Sequence, residues 1–554
     1  MARCRIAARW TLPASSAGPA RAIGCEGWLG GGRRGPLRGG DVRPVFTAEQ
    51  MRRLDRRASG ELGIPGATLM ENAGRGAAAA LLEAFPRARR VAVVCGKGGN
   101  GGDGFVLARW LHRRRVRVEV ILAFPPAEIT GDAALKLRAL PRGVPRRPIE
   151  QPVALVRRLG EADVVVDALL GTGSRGAPSG AVADAIAAIN ASGKPVVALD
   201  VPSGLPADGG EPSGPVVRAA LTPTFAGLKL GLVSGPGVEL AGRVVVVDIG
   251  VPAAETARGI TTFLLEETDV ARLVPRRARA AHKGTYGHLL IVAGSLGKTG
   301  AAALAAHAAL RSGAGLVTVA TPASQQPIVA GLVLEAMTEA LPETAARTVA
   351  LEAREVVAGL AAVRDAVALG PGLGLDPATQ ALVRELAGAL ERPMVIDADA
   401  LTALAGHLDV LHGAGAPRCL TPHPGEMARL VGGSAAEVQR DRVGVARAVA
   451  REHRVHVVLK GASSVIAAPG GDVYLNPTGN PGMASGGTGD VLTGMVGAFL
   501  ARGMPPLGAL QCAVFLHGRA GDLAAARVGE EALVAGDVVA ALGQAFTGLP
   551  AARG

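Results

Sequence analysis

The hydrophobic pattern alternates between short runs of β-branched residues and longer Ala- and Leu-rich stretches with helical spacing. Near the start, Thr47 followed by Gln50 has the spacing of a capping box, which predicts a helix that ends near Gly60. A second helix is predicted to begin around Ala67. Strands are then predicted at Val91–Cys95, Val116–Ala123, Val164–Asp167, Val196–Asp200 and Val244–Asp248. This alternation is typical of a parallel sheet flanked by helices.

The same alternation resumes after a charged, proline-containing stretch at Arg272–Lys283, which we place at the boundary between two halves. Helices are predicted at Ala301–Arg311 and Val491–Ala501. Strands are predicted at His288–Ala293, Gly315–Ala320, Ala366–Gly370, Pro393–Asp397 and Val455–Lys460. No short repeat is visible, which excludes a solenoid. We therefore predict two α/β domains.

Composition and charge argue against nucleic-acid binding and against a membrane-spanning protein. Hydrophobic residues make up 49% of the 554 residues, enough for more than one core, whereas aromatic residues at 3% argue against stacking on single-stranded nucleic acid. About half of the +12 net charge lies in residues 1–44, and the rest is spread over solvated helix faces. We therefore expect no nucleic acid partner. Without a run of 18 or more apolar residues, no membrane-spanning helix is expected either.

The first 45 residues are arginine-rich and acid-poor like a transit peptide, but Gly30–Gly32 fits an amphipathic helix badly. We expect a disordered extension over 1–45. The five scattered cysteines favour a reducing compartment over a disulfide framework or a zinc site. A cytoplasmic location is the expectation.

Glycine-rich turns and strand-end carboxylates carry the candidate chemistry of the first half. The run Cys95–Phe105 (CGKGGNGGDGF) lets backbone N–H groups approach a phosphate, although a merely tight turn remains an alternative. Asp167 and Asp200 end two strands, where ligands bind in such sheets, unless they only cap turns. Asn100, Asp167 and Ser203 offer hard oxygen donors that suit a monovalent cation or Mg²⁺ rather than zinc.

Five motifs of this half resemble the NAD(P)H-hydrate epimerase family, the YjeF N-terminal domain. They are MENAG at Met70–Gly74, GKGGNGGDG at Gly96–Gly104, DALLGTG at Asp167–Gly173, DVPSG at Asp200–Gly204 and TFAGLKLG at Thr224–Gly231. The resemblance implies a Rossmann-like three-layer domain over 46–264 and a potassium ion (K⁺) at Asn100, Asp167 and Ser203. It also implies a catalytic Asp200. Implied substrate contacts are Gly99, Asn100, Gly101, Gly102, Asp103, Gly171, Thr172, Gly173, Ser174, Arg175, Gly176, Ala177 and Asp200. Gly99 departs from the family, which has a second asparagine there.

The second half has its own glycine-rich segment, Asn476–Gly494, in which the run Gly486–Asp490 precedes the helix predicted at Val491–Ala501. Backbone N–H groups at a helix start stabilise developing phosphoryl charge, and Asp490 beside them can accept a hydroxyl proton, although helix capping is the alternative role. By contrast, Gly297-Lys298-Thr299 is not a Walker loop, because Val292 stands where the first glycine is required.

Further motifs fit phosphoryl transfer. They are Lys460–Ser464 (KGASS), Thr421–Glu426 (TPHPGE) around His423, Ala368–Gly374 (ALGPGLG), and Asp397 with Asp399 at a strand end. A surface role for His423 stays open. Together with HKGTYG at His282–Gly287 and LRSGAGLV at Leu310–Val317, they resemble the ADP-dependent NAD(P)H-hydrate dehydratase family, the YjeF C-terminal domain.

This second resemblance implies a ribokinase-like domain over 265–548 that uses ADP with Mg²⁺, with Asp490 as a catalytic residue. Implied hydrate contacts are Ala301, Gly374, His423 and Asp490. Implied nucleotide contacts are Lys460, Gly461, Ala462, Ser463, Ser464 and Gly489. Lys298 and Ala302 depart from the family, which has an aromatic residue and a proline there.

The two resemblances together imply a fused repair enzyme for hydrated NADH and NADPH, here called NADHX and NADPHX. The first domain would interconvert the R and S epimers, and the second would dehydrate the S form at the expense of ADP. A homo-oligomer such as a tetramer is expected. A small-molecule kinase is the alternative for the second half, and a nucleotide-binding scaffold is the alternative for the first.

Overall fold

The computed structural model describes residues 42–174, 176–274 and 277–550. Its first helix confirms the predicted capping box. Thr47 Oγ1 accepts a hydrogen bond of 3.2 Å from the Gln50 backbone N–H, and Gln50 Oε1 accepts one of 2.8 Å from the Thr47 N–H. These bonds satisfy two donors that a helix start otherwise leaves unpaired.

Helices and strands alternate through the first half, as predicted. Its strands are β1 (Arg43–Phe46), β2 (Arg90–Cys95), β3 (Arg117–Leu122), β4 (Arg146–Pro148), β5 (Val164–Ala168), β6 (Val196–Ala198), β7 (Leu221–Phe225), β8 (Leu228–Lys229) and β9 (Arg243–Val247). Its helices are α1 (Ala48–Gly60), α2 (Gly66–Ala84), α3 (Gly99–Arg113), α4 (Gly131–Arg138), α5 (Pro152–Gly160), α6 (Gly180–Ala191), α7 (Gly237–Leu240) and α8 (Ala253–Thr256).

Seven of these strands form a parallel sheet in the order β4-β3-β2-β5-β6-β7-β9. Successive side chains of a strand point to opposite faces of the sheet, so the side chains of β2 pack into two separate cores. Val91 and Val93 pack with Phe105 of α3 on one face, whereas Ala92 and Val94 pack with the α5 and α6 side chains on the other. Burial on both faces explains why these strands read as continuous apolar runs. The three-layer Rossmann-like arrangement is confirmed.

The second half also alternates strands and helices, around a larger sheet. Its strands are β10 (Thr262–Leu264), β11 (His288–Val292), β12 (Leu316–Pro322), β13 (Met337–Leu341), β14 (Ala366–Leu369), β15 (Met394–Ile396), β16 (Arg418–Leu420), β17 (His456–Leu459), β18 (Val465–Ala467) and β19 (Val473–Leu475). Its helices are α9 (Glu267–Leu273), α10 (Thr299–Arg311), α11 (Gln326–Leu332), α12 (Arg354–Ala362), α13 (Pro377–Ala389), α14 (Asp399–Ala403), α15 (Pro424–Val431), α16 (Ala435–Arg440), α17 (Arg442–Glu452), α18 (Thr488–Ala501), α19 (Pro506–Val528) and α20 (Ala535–Thr547).

The second sheet has the order β13-β12-β11-β14-β15-β16-β17-β18-β19-β10-β1-β8. From β13 to β17 every pairing is parallel, and β18 then runs antiparallel to both of its neighbours. One face carries the core that contains α13 and α17, and the other carries the core that contains α10, α18 and α19. The α/β prediction for this half is confirmed.

The structure differs from the sequence prediction where the halves join. Residues 1–41 of the expected extension 1–45 lie outside the described residues, but Arg43–Phe46 form β1. β1 pairs with β10 on one side and with β8 on the other. The expected boundary at residue 264 also falls after β10, which pairs with β19 of the second half. Strands of two to four residues are too short to show a periodic pattern, so the sequence did not reveal them.

Within the described ranges, none of the helices is long and apolar enough to cross a membrane. The three cysteines described, Cys95, Cys419 and Cys512, are buried and free.

Candidate active sites

Asn100 lies in the first turn of α3, at the carboxyl edge of the first sheet. Its Nδ2 donates a hydrogen bond of 2.7 Å to the Leu170 carbonyl, whereas its Oδ1 is buried without a hydrogen-bond partner. The helix can begin this close to the sheet only because small residues surround it. A Cβ at Gly101 would lie 2.0 Å from the Gly96 carbonyl oxygen. The glycine-rich turn therefore lets α3 begin against the sheet, with a buried and unpaired amide oxygen in its first turn.

Asp167 and Ser203 are linked to Asn100 through Leu170, because Ser203 Oγ lies 3.4 Å from the Leu170 carbonyl oxygen that accepts from Asn100 Nδ2. Ser203 donates its hydroxyl to Asp167 Oδ1 at 2.6 Å and its backbone N–H to Oδ2 at 2.8 Å. The Leu169 N–H donates to Oδ1 at 3.1 Å. Burial raises the pKa of Asp167 to about 6, although the Ser203 hydrogen bonds oppose the shift. No positive side chain pairs with this carboxylate among the described residues, so a bound cation would stabilise its ionised form.

Asp200 follows β6 and forms the centre of a second polar group. Lys229 Nζ donates to Asp200 Oδ1 at 2.6 Å and to the Phe225 carbonyl at 2.6 Å. The same carboxylate oxygen accepts the Phe225 N–H at 3.2 Å and the Thr224 hydroxyl at 3.4 Å. Asp200 has a φ of +66°, a conformation that costs energy outside glycine and is found at functional sites.

Two further carboxylates face this pair. Burial, reinforced by the negative charges of Asp200 and Asp55, raises the pKa of Asp103 well above its usual range. Burial also raises the pKa of Asp55, and Asp200 adds to that shift while Lys229 opposes it. The raised pKa favours the protonated form of Asp103, which can donate a hydrogen bond, whereas Asp200 accepts from Lys229.

The loop after β5 covers these groups. A Cβ at Gly171 would lie 3.4 Å from Asn100 Cβ and 3.7 Å from Asp200 Oδ2, so this loop contacts both polar groups. Thr172 is half-buried, Gly173, Ser174, Gly176 and Ala177 are exposed, and Arg175 lies outside the described residues. At Gly99, a Cβ would meet no atom within 4 Å, so packing does not require the glycine that replaces the family asparagine.

In the second half, Asp397 is buried at the end of β15. Its Oδ1 accepts from Lys460 Nζ at 2.7 Å and its Oδ2 accepts from the Thr493 hydroxyl at 2.6 Å. Lys460 also lies 3.8 Å from Glu426 Oε2. Burial would favour the neutral amine, but the carboxylates of Asp397 and Glu426 raise the pKa of Lys460. An ammonium is thus held in place at the carboxyl edge of the sheet.

Asp490 lies in the first turn of α18, close to this ammonium. Burial and the charge of Asp397 raise the pKa of Asp490 to about 6. Gly487 caps the helix with a φ of +92°, and a Cβ at Gly489 would lie 3.3 Å from Lys460 Nζ. Because both positions are glycine, the Lys460 side chain can lie close to the first turn of α18. Backbone N–H groups, an ammonium and a carboxylate with an elevated pKa therefore lie together at this point.

His423 has a structural role as well as its predicted binding role. Its Nδ1 accepts the N–H groups of Gly425 at 3.0 Å and Glu426 at 3.3 Å, so it caps α15. Its Nε2 lies 3.4 Å from Glu426 Oε1. Burial, helped by Lys460, lowers the pKa of His423. The cap occupies Nδ1, while about half of the side chain is exposed.

Ala301 packs against Gly372, and Gly374 is hydrogen-bonded to Asp399. A Cβ at Gly372 would lie 3.2 Å from Ala301 Cβ, and the Gly374 N–H donates to Asp399 Oδ2 at 2.8 Å. Lys298 Nζ forms an ion pair of 2.9 Å with the same oxygen of Asp399. The lysine that replaces an aromatic residue of the family is therefore held beside the predicted hydrate contacts.

The predicted nucleotide loop, Lys460–Ser464, connects β17 to β18. Gly461 has a φ of +140° and Ser463 a φ of +51°, and Ser464 Oγ donates to the Gly461 carbonyl at 3.1 Å. Gly461 and Ala462 are exposed. The loop is thus tightly turned and open at its tip, within reach of Gly489 through the Lys460 side chain.

Comparisons with known proteins identify the family of each half. A family model described as YjeF-related protein N-terminus matches residues 66–231, and one described as NAD(P)H-hydrate dehydratase matches residues 289–542. The bifunctional NAD(P)H-hydrate repair enzyme Nnr of Moorella thermoacetica is 46% identical over 503 residues, which cover 89% of this chain and 95% of that protein. The chain belongs to the bifunctional NAD(P)H-hydrate repair enzyme family.

Other members of the NAD(P)H-hydrate repair enzyme family are similar over the same length. The Escherichia coli K12 protein is 36% identical over 512 residues, 90% of this chain and 93% of that protein. Among solved structures, the ADP/ATP-dependent NAD(P)H-hydrate dehydratase of Bacillus subtilis, co-crystallised with ATP and Mg²⁺, is 32% identical. That structure covers 52% of this chain and 98% of its own, with a TM-score of 0.46.

Membership of the repair enzyme family confirms both sequence resemblances and favours them over a vitamin or sugar kinase and over a scaffold. Sequence reasoning gave Lys229 no role beyond its place in the TFAGLKLG motif, and it missed Thr493 altogether. The chemistry of lysine could have indicated a partner for Lys229. A lysine within the apolar run of β7 and β8 must find a carboxylate if it is buried. Thr493 carries no such signal, because a threonine inside a helix is ordinary.

Proposed function

We propose that this chain repairs hydrated NADH and NADPH in two steps. The first half epimerises the R and S forms of NADHX and NADPHX, and the second half dehydrates the S form to NAD(P)H while ADP becomes AMP and phosphate. The observation that carries the proposal is the convergence of Asp490, Lys460 and the α18 N–H groups in a chain that also holds the Asp200–Lys229 pair.

The first half supplies a proton donor and a proton acceptor for epimerisation. The hydroxyl of the hydrate is on carbon 6, next to the ring nitrogen, whose lone pair can expel it once it is protonated. Protonated Asp103 donates that proton, the carbon–oxygen bond breaks, and water then adds to the other face. Asp200 accepts the proton that the incoming water loses, and Lys229 stabilises the carboxylate before and after the transfer. The hydrated nucleotide is held by Gly99–Asp103 and by Gly171–Ala177.

The Asn100, Asp167 and Ser203 cluster fits a potassium ion. Asn100 Oδ1 is a buried acceptor without a donor, and Asp167 is a buried carboxylate without a positive partner among the described side chains. These are hard oxygen ligands, the kind that alkali and alkaline-earth cations prefer. A bound K⁺ would supply positive charge near the substrate and hold the loop after β5 in place.

In the second half, Asp490 takes the proton of the carbon 6 hydroxyl as its oxygen attacks the β-phosphorus of ADP and AMP leaves. The phosphate ester then leaves as inorganic phosphate, with loss of a proton from carbon 5, and the ring double bond is restored. Lys460 and the α18 N–H groups stabilise the transferred phosphoryl group. Ala301, Gly374 and His423 hold the hydrate, and Lys460–Ser464 with Gly489 hold the nucleotide.

Mg²⁺ is proposed to enter with ADP. Within the described ranges, no group of three or more His, Cys, Asp or Glu side chains could hold a metal unaided. Glu426 and Asp397 nevertheless place carboxylate oxygens beside Lys460, and Mg²⁺ is commonly bound by one or two carboxylates together with substrate phosphates. Bound Mg²⁺ would neutralise phosphate charge.

We further propose a domain division at about residue 264, with β10 attached to the sheet of the second half, together with a cytoplasmic location and a homo-oligomeric assembly. The function is tested by incubating the purified chain with a mixture of R and S hydrates and Mg²⁺-ADP. Reduced nicotinamide and AMP should appear in equal amounts. ADP consumption without hydrate loss would instead indicate a kinase or phosphatase.

A further inference from the structure

Arg442 opens α17 and points at the back of the proposed nucleotide loop. Its Nη2 donates to the Leu459 carbonyl at 3.1 Å and to the Lys460 carbonyl at 3.3 Å. Its Nη1 donates to Gln439 Oε1 at 3.2 Å. The guanidinium thus bridges the last residue of β17 and the first residue of the loop, at the point where the chain turns away from the sheet.

The backbone conformation of the loop and the position of the Arg442 guanidinium depend on each other. A Cβ at Gly461 would lie 2.4 Å from Arg442 Nη1, so no other residue type fits there without moving the guanidinium. The φ of +140° at Gly461 independently excludes other residues. Because the Lys460 carbonyl is fixed by Arg442 and the Lys460 ammonium by Asp397, both ends of this lysine are anchored.

The charge of Arg442 has no carboxylate partner. Within the described part of the chain, its hydrogen-bond acceptors are two carbonyls and one amide, all neutral. Burial lowers the pKa of Arg442 to about 10, so it remains positive at neutral pH. A partly desolvated cation with neutral partners favours an anion nearby, and the adjacent loop is where the nucleotide phosphates are proposed to bind.

Arg447 provides a comparison on the same helix. Its Nε donates to the Gly471 carbonyl at 3.0 Å and its Nη2 to Thr262 Oγ1 at 2.8 Å. Burial lowers the pKa of Arg447 as well. The two arginines therefore share a helix, partial burial and neutral partners, but Arg447 holds the turn before β19 rather than the nucleotide loop.

We infer that Arg442 is a positioning residue for nucleotide binding, which shapes the loop Lys460–Ser464 and supplies it with an uncompensated positive charge for the phosphates of a nucleoside diphosphate. The inference rests on the proposed nucleotide site. A residue of α17, which lies outside the proposed binding motifs, would therefore influence the affinity for ADP.

The test measures the dissociation constant of Mg²⁺-ADP by calorimetry on the full chain, together with kcat and the KM for ADP. Arg442→Met removes a charge and the hydrogen bonds that hold the Leu459 and Lys460 carbonyls, so it should weaken ADP binding at least about tenfold. Its kcat at saturating ADP should stay within about threefold of wild type, because Asp490 and Lys460 remain. Arg442→Lys keeps the charge but cannot reach both carbonyls, and it should weaken binding by a smaller factor that still exceeds about twofold. Arg447→Met is the matched control and should leave the dissociation constant within about twofold.

ADP binding within about twofold of wild type in Arg442→Met would overturn the inference, as would equal weakening in Arg447→Met, which would show a general effect of α17. If Arg442→Met fails to fold, Arg442→Lys decides by the same criterion. The proposed function fails separately: a wild-type chain that binds ADP without dehydrating the hydrate would contradict the function but not the role of Arg442.

Discussion

Lys229 Nζ lies 2.6 Å from Asp200 Oδ1, and both side chains are almost completely buried. The pair connects the two halves of the chain. Asp200 follows β6 of the first sheet, whereas Lys229 lies on β8, which pairs with β1 and through it with the sheet of the second half. The register places Phe46 opposite Lys229. A proposed acid–base group of one domain is therefore anchored on a strand that extends the sheet of the other.

Lys229→Met should abolish epimerisation, with a loss of about 10²–10⁴-fold, because Asp200 loses the ammonium that stabilises its carboxylate during proton transfer. It should also destabilise the chain by about 3–5 kcal/mol, since one partner of a buried ion pair is left uncompensated. The readouts are the rate of R to S conversion and a denaturant unfolding curve.

Dehydration of the S hydrate by the same variant is the control and should be unchanged. A double variant, Lys229→Met with Asp200→Asn, should recover part of the stability but none of the epimerisation. Full epimerisation in Lys229→Met would show that the lysine is only structural.

Asp490→Asn should reduce dehydration about 10²–10⁴-fold and leave epimerisation intact, because the amide cannot accept the hydroxyl proton. Asp537→Asn is a matched control, since Asp537 lies in the first turn of α20 as Asp490 does in α18. Steady-state rates with the S hydrate separate the two. Dehydration within about threefold of wild type would remove the catalytic role of Asp490.

The pH dependence of dehydration should follow Asp490. Its pKa is raised to about 6, and only the ionised carboxylate can accept a proton. kcat/KM should therefore be constant above about pH 7 and fall as the pH decreases through 6. A profile that is flat down to about pH 4 would contradict the assignment, and Asp537→Asn should reproduce the wild-type profile.

Potassium should stabilise the first half in a pH-dependent way. The pKa of Asp167 is about 6 in the folded protein against the ordinary 3.8, so the stability present below pH 3.8 is lost as the pH rises through 6. A cation offsets this loss by binding the ionised form. K⁺ should raise the melting temperature more at about pH 8 than at about pH 5, and a concentration of 100 times its dissociation constant would add about 2.7 kcal/mol.

Asp167→Asn should remove most of this potassium effect, because the amide carries no charge. Sodium at the same ionic strength is the control for non-specific salt. Equal melting temperatures with and without K⁺ at every pH would contradict a potassium site at Asn100, Asp167 and Ser203.

A chain that begins at Val42 should keep both activities, whereas one that begins at Ala48 should lose epimerisation and melt at a lower temperature. The second chain lacks β1, which leaves unpaired the edges of β8 and β10. The measurement is both activities and the melting temperature of each chain. Full epimerisation by the chain that begins at Ala48 would show that β1 does not position Lys229.

The sequence predicted the long apolar strands and the helices with clear caps because their patterns span enough residues to be periodic. Val91–Cys95 and the Thr47 capping box are examples, and both are confirmed. It could not predict β1, β8 and β10, because two to four residues carry no period and their pairing is set by distant parts of the chain.

The candidate sites, too, could be predicted from the sequence only in part. Local motifs indicated Asn100, Asp200, Lys460 and Asp490, because glycine-rich turns and strand-end acids are visible in the chain itself. The partners of these residues were not visible. Asp397 bonds Thr493 across 96 positions of sequence, and only the fold shows that a threonine inside α18 orients an acid at the end of β15.

The most direct test of the two-step repair compares the full chain with Asp200→Ala on a mixture of R and S hydrates and excess Mg²⁺-ADP. The full chain should convert both epimers to NAD(P)H, whereas Asp200→Ala should convert the S form at the wild-type rate and then stall. Residual conversion should match the spontaneous epimerisation seen without protein. Complete conversion by Asp200→Ala at the wild-type rate would contradict epimerisation at Asp200, and no conversion of the S form by the full chain would contradict the account as a whole.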